Sequence, residues 1–163
     1  MTDQTPLNAV DPNQVAAFWR RFLEATNREP ATAQPEAWAF GDSVELANEL
    51  IELVLHGPKR ATAGSVADYE SDGEPMPQVG DLEIVTDGQM QPRAVLEITE
   101  VRIGPLLSVD AAFAWDEGEG DRSLDYWVEA HTGFFSRYLP TIGVEFTPEM
   151  PTIFQRFEVV YSE

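Results

Sequence analysis

Apolar residues recur at spacings of three and four in some stretches of the chain and alternate with polar residues in others, which predicts a mixed α and β protein. Val15, Phe18, Trp19, Phe22 and Leu23 form the first stripe, with Arg20, Arg21 and Glu24 elsewhere on the wheel. Asp11-Pro12 supplies an N-cap and a first-turn proline, so a helix is expected from there to about Asn27. A second helix is capped by Asp42 or Ser43, carries Leu46, Ala47, Leu50, Ile51, Val54 and Leu55, and is stopped by Gly57-Pro58. Lys59 follows that stop directly.

Beyond Lys59 the pattern changes to strand type, near Ala61–Ala67, then Leu82–Thr86, Arg93–Ile103 and Ile153–Tyr161. Asp87-Gly88 predicts a hairpin with an irregular tip. A short helix is expected near Val109–Trp115 and a longer one from about Ser123 to Tyr138, whose Leu124, Trp127, Val128, His131, Phe134 and Phe135 approximate one face. Residues 1–10 read as a flexible N-terminus, Arg28 to Phe40 as a connector, and residues 11–163 as a single domain.

Composition narrows the classes. With no cysteine, disulfides, thiolate zinc sites and cysteine nucleophiles are excluded. The first residues lack a secretory signal and no apolar run approaches a membrane span, so a cytoplasmic protein with no membrane partner is expected. A net charge of -19 argues against coating nucleic acid through the general surface: no DNA partner is expected, and RNA would need a local basic cleft. An acidic proteome explains the charge equally well. Nine of the ten basic residues are Arg, and Lys59 is the only lysine. Coding bias accounts for the arginines; the lone lysine marks a place where a forked, always-charged guanidinium does not substitute for a compact amine.

Read in order, Trp38-Ala39-Phe40-Gly41-Asp42, Gly57-Pro58-Lys59-Arg60-Ala61-Thr62, Val79-Gly80-Asp81, Glu117-Gly118-Glu119-Gly120-Asp121, Trp127 with His131, and Phe157-Glu158-Val159-Val160-Tyr161 resemble the ASCH domain family over about residues 15–161. Each motif alone is weak; their joint order is specific. The resemblance implies an α+β fold of PUA-like type, a small curled β-barrel flanked by helices, and a ligand class of RNA or a modified pyrimidine nucleoside. Members include hydrolases of acylated cytidine and proteins credited with cleaving RNA. Val128 stands where many similar relatives carry a basic residue, and with it goes a candidate phosphate contact.

By resemblance to the amidohydrolase branch, Lys59, Thr62 and Glu117 fall at the positions of its activating lysine, threonine nucleophile and acidic residue. A lysine freed of its proton can activate a hydroxyl, and one that keeps it can stabilise a phosphodiester transition state. Thr62 also reads as an ordinary β-branched strand residue, Arg60 as a phosphate contact or a surface arginine, and Ser65 as a weaker candidate facing the other side of the strand from Thr62. Glu117 and Glu119 are acid/base or base-reading groups, Gly118 and Gly120 allow close approach to a ligand, and Asp121 reads as a helix cap. No EF-hand pattern or histidine pair supports a metal, and no cofactor is expected. His131 reads as a proton relay or, more readily, a structural histidine on an apolar face. Trp38, Trp115, Trp127 and Tyr69 can stack on a base; Trp127 at helical spacing reads as core, leaving Trp38 in its connector the better candidate. Three functions follow: ribonuclease-type cleavage, preferred because the helical frame resembles the longer ASCH proteins; hydrolysis of N4-acetylcytidine; and a non-catalytic RNA-binding or adaptor module, whose protein partners the sequence leaves unknown.

Overall fold

Local capping chemistry starts most of the helices. The Asp11 side chain accepts from the Asn13 N–H at the start of α1 (Pro12–Thr26), and Asn27 ends it in the left-handed region at φ 55°. Ser43 accepts from Leu46 N–H to open α2 (Val44–His56), and Gly57 closes it. The computed structural model describes residues 4–163, and among these come, in chain order, β1 (Ala37–Ala39), β2 (Ala61–Ser65), α3 (Val66–Asp72), β3 (Leu82–Thr86), β4 (Pro92–Pro105), α4 (Ala111–Glu117), α5 (Leu124–Tyr138) and β5 (Pro151–Ser162).

The α+β class expected from the pattern is found. The strands lie in the order β1-β3-β4-β5-β2, an open sheet with β1 and β2 at its edges, so closure into a barrel is left without support. Chain contacts divide the protein into two units, one of residues 1–57, 82–97 and 158–163 and one of residues 58–81 and 98–157; β4 and β5 contribute a segment to each.

In the first unit the apolar stripe of α1 (Val15, Phe18, Trp19, Phe22 and Leu23) packs on Ile84 of β3 and Val95 of β4. Tyr161 lies 5.5 Å from Phe18 and 5.8 Å from Phe22, ring centre to ring centre. Within the N-terminal stretch expected to be loose, the Thr5 N–H and hydroxyl both donate to the Glu45 carboxylate, and the Val44 N–H donates to the Thr5 carbonyl. Residues 1–3 lie outside the described residues. In the β3–β4 hairpin, Asp87 Oδ1 accepts from the Gln89 and Gln91 N–H groups and Met90 adopts φ 61°, giving the irregular tip that Asp87-Gly88 predicts.

The second unit has its own core: Phe113 and Ala114 of α4, Trp127 and Phe135 of α5, Ala61 of β2 and Phe154 of β5, with Leu106, Val109, Leu139 and Met150 around them. β2 runs antiparallel to β5, pairing Ala61 with Arg156, Thr62 with Gln155 and Ala63 with Phe154. Alternation therefore turns Ala61 and Ala63 towards the α4–α5 core and Thr62 to the opposite face.

Two elements lie outside the sequence reading. The three residues of β1 sit in a stretch read as connector, and they form a strand only by pairing in parallel with β3, Ala37 opposite Ile84. The expected strand to Ala67 stops at Ser65, whose hydroxyl accepts from Asp68 N–H and turns the chain into α3. No helix among the described residues is long and apolar enough to cross a membrane.

Phe18 is fully buried between α1 neighbours and Tyr161. Phe18→Ala is expected to lower the unfolding free energy by about 3–5 kcal/mol in urea titrations. A loss under about 1 kcal/mol would contradict this packing.

Candidate active site

The groups gathered around Lys59 belong to the second unit. Asp110 accepts from Phe113 N–H and sets the start of α4 two residues later than the pattern suggests, so Glu117 is its last residue and Gly118 its left-handed cap at φ 72°. A Cβ on Gly118 would stand 2.9 Å from the Lys59 backbone nitrogen and 3.0 Å from its Cα. The acidic loop thus lies directly on the Lys59 backbone, held there also by the Arg60 N–H donating to the Asp116 carbonyl at 2.8 Å. The close approach foreseen for Gly118 is to Lys59 rather than to a ligand; Gly120, at φ 57°, makes room for the Tyr126 ring.

Lys59 is 1% exposed. Its Nζ donates to the Ala61 carbonyl at 2.9 Å and stands 3.6 Å from Glu117 Oε1 and 3.6 Å from Glu119 Oε2. An amine so placed is a donor held between carboxylates. Glu117 is equally buried: its Oε2 accepts from the Trp127 indole N–H and its Oε1 lies 2.8 Å from His131 Nε2. His131 Nδ1 lies 2.9 Å from the Trp127 carbonyl, one helical turn back, and the two rings stack 3.8 Å apart at 11°.

Burial alone would push the Glu117 carboxyl up, but the His131 and Lys59 charges outweigh it and hold the group down at about 2. Glu119 meets the histidine charge only as a minor influence and shares a hydrogen bond with Glu117. Burial raises it to about 7, with Lys59 opposing and the neighbouring Glu117 charge adding to the rise. For His131 burial disfavours the charged ring, yet Glu117 holds its pKa above the ordinary value. Two carboxylates two residues apart are thus driven in opposite directions, one held ionised well into acid and one poised near neutrality.

Of the catalytic candidates, Lys59, Glu117 and His131 come together, with Glu119, a ligand-binding candidate, beside them; Thr62 pairs with Gln155 on the opposite strand face from Ala61. Arg60 is exposed and donates to the Lys59 carbonyl at 2.6 Å. The Ser65 hydroxyl is occupied as the α3 cap. Trp38 lies in the first unit on β1, its ring edge-on to Phe40 at 4.6 Å. Asp121 is not the α5 cap: Ser123 takes that role, accepting from Tyr126 N–H, while Asp121 accepts from Ser123 N–H. Trp127, read as core, belongs to the cluster as well; the signal was its spacing of four from His131, with a buried indole N–H in need of an acceptor.

Glu117, Glu119 and His131 each offer a ligand atom within 4.8 Å of the others, a spacing that suits a divalent cation. Such an ion would share both carboxylates with the Lys59 ammonium and take His131 Nε2 from Glu117. The donor set fits the lysine as its cation better than a metal.

Comparison with known proteins now adds to the geometry. The family model described as ASCH domain matches residues 36–161. An ASCH domain from Lactobacillus crispatus, in a high-resolution crystal structure, is 35% identical with a TM-score of 0.82, the match covering 94% of this chain and 98% of that one. A crystal structure of an Enterococcus faecalis protein under the family model DUF984 is 38% identical, also with a TM-score of 0.82, covering 90% of this chain and 88% of that one. No curated protein matches the sequence.

The two carboxyl groups make stability depend on pH in opposite senses. Glu119, raised from 4.5 to about 7, binds a proton in the folded state that the unfolded chain releases, so its contribution is full below 4.5 and lost as pH rises through 7. Glu117, lowered from 4.5 to about 2, contributes stability above 4.5 that is lost as pH falls towards 2. Glu119→Gln should therefore gain on the wild type between pH 5 and pH 8, by on the order of 2 kcal/mol in urea-unfolding free energy. An identical difference at the two pH values would contradict the assignment.

Proposed function

Because the chain belongs to the ASCH domain family, which is associated with RNA binding, we propose that the Lys59 cluster takes an acylated pyrimidine base and hydrolyses its amide, with Glu119 as the acid/base group. The observation that carries this reading is the unequal state of the two carboxyls around one lysine. A group whose pKa lies near the working pH can both take and return a proton in one turnover.

In the proposed reaction a water molecule attacks the acyl carbon while Glu119 takes its proton. The Lys59 ammonium, and the His131 ring behind Glu117, supply positive charge to the developing oxyanion. Collapse breaks the C–N bond; Glu119 returns the proton to the departing exocyclic amine, and the carboxylic acid leaves and gives its remaining proton to solvent. Water takes the place of Thr62 as nucleophile in this reading, Thr62 alternating with Ala61 along β2 as an ordinary strand residue. An N4-acetylated cytosine fits this chemistry.

Phosphodiester cleavage, preferred on sequence, fits less well. The charges of Lys59 and His131 are matched by Glu117 and by ionised Glu119, so a phosphate entering above neutral pH meets no surplus positive charge and two carboxylates. A compact ammonium is required at the centre, since a guanidinium cannot occupy the same buried donor position opposite the Ala61 carbonyl.

Purified wild type, Lys59→Ala, Lys59→Arg and Glu119→Gln would be assayed on N4-acetylcytidine and on single-stranded RNA with chelator present. Wild type is expected to release cytidine and acetate with kcat rising as pH passes through about 7, and each variant to lose about a hundredfold or more. Lysine-dependent RNA cleavage without amide turnover would replace this reading with the ribonuclease; ligand binding without turnover would replace it with the binding module.

A further inference from the structure

A carboxyl group receives donors at both oxygens best while ionised, because a proton on either one puts a donor there and leaves a weaker acceptor. Glu117 Oε2 faces the Trp127 indole N–H, a group that donates and never accepts. Oε1 faces His131 Nε2 at 2.8 Å and the Lys59 ammonium at 3.6 Å. Trp127 meets His131 too: its carbonyl faces Nδ1 at 2.9 Å, which requires a hydrogen there, and its ring lies flat on the imidazole at 3.8 Å, where the indole face favours a cation. One buried residue therefore acts on both partners of the Glu117–His131 pair, through its indole N–H on Glu117 and through its ring and backbone carbonyl on His131.

We infer that Trp127 is a positioning residue that keeps Glu117 ionised and His131 doubly protonated throughout, so that Glu119 is the one carboxyl of the cluster free to exchange protons. The geometry accounts for the division of labour. With its N–H on Oε2, the indole opposes a proton on that oxygen; the backbone carbonyl of the same residue, on Nδ1, opposes the tautomer in which Nδ1 is bare. The remaining way to neutralise the pair is to move a proton from Nε2 to Oε1, and Lys59 from the entry of β2 opposes that move by its charge. The charged groups facing the imidazole are Glu117 at the end of α4, Glu119 in the loop after it, and Lys59 beyond Glu117. The raised pKa of His131 is in keeping with this arrangement.

The inference rests on the cluster reading of the site, but its first test does not need turnover. Nitrogen chemical shifts of the His131 ring in the wild type are expected to show both nitrogens protonated well above pH 6.5, the ordinary midpoint. Titration of His131 at or below pH 6.5 in the wild type would overturn the proposal, whatever the protein hydrolyses. Trp127→Phe keeps an aromatic face and loses the N–H; the His131 midpoint should move down towards the ordinary value. If acylated cytidine is turned over, kcat should fall about tenfold, the rate equivalent of one hydrogen bond to a charged group, with KM little changed and a second ionisation entering the pH profile. An unchanged His131 midpoint in folded Trp127→Phe would likewise defeat it. Should that variant fail to fold, the wild-type titration decides alone. A wild-type His131 that behaves as inferred in a protein without amide turnover would leave the positioning standing and remove the hydrolase reading.

Discussion

The second unit is organised around one buried cation. Taking an ammonium out of water costs several kcal/mol unless opposite charge and hydrogen-bond acceptors meet it. Lys59 meets a carbonyl at 2.9 Å and two carboxylates at 3.6 Å each, and those partners come from separate parts of the chain. Ala61 is the first residue of β2, Glu117 the last of α4, and Glu119 lies in the loop beyond. Each element must therefore end where it does for the charge to be satisfied. Once Glu117 is committed to Lys59 it also needs donors for its other positions, which draws Trp127 and His131 of α5 into the same network.

Backbone approach sets how closely that network can assemble. At Gly118 a side chain would strike the Lys59 and Pro58 backbone at about 3 Å, and the residue sits at φ 72°. Both conditions select glycine. The left-handed turn ends the helix so that two carboxylates separated by a single residue reach the same ammonium, which a continued helix could not allow because positions i and i+2 do not face each other on it. Their unequal burial and partners make one the fixed counter-ion and the other the titrating acid. The chemistry available to the site is thus decided by a turn residue that carries no functional group.

Much of this was legible before any coordinates. The helices α1, α2 and α5 and the strands β3, β4 and β5 follow from apolar period and capping residues, because those signals are local. Lys59 stood out as the only lysine, and Glu117, Glu119 and His131 followed from the family motif. What escaped depends on distant partners. β1 has no strand signal of its own and exists by pairing with β3; the shift of α4 by two residues rests on Asp110 rather than on apolar spacing; and Thr62 faces away from Ala61 because register with β5 fixes which side of the sheet it takes. The closeness of Gly118 to Lys59 could not be read at all, since fifty-nine positions separate them in sequence.

Position within the charge network, more than residue type, separates the candidate functions. A lysine acting as a base needs a lone pair directed at its substrate, whereas Lys59 donates to the Ala61 and Glu117 carbonyls and stands between two carboxylates at 3.6 Å. A lysine that binds phosphate needs a surplus of positive charge, whereas here each cation has a carboxylate within reach. What this network supplies is a fixed positive centre with one exchangeable proton beside it, suited to an uncharged acyl group whose oxygen becomes negative only as the reaction proceeds. The net charge of -19 points the same way, because a neutral base meets no long-range repulsion from such a surface while a polyanion does.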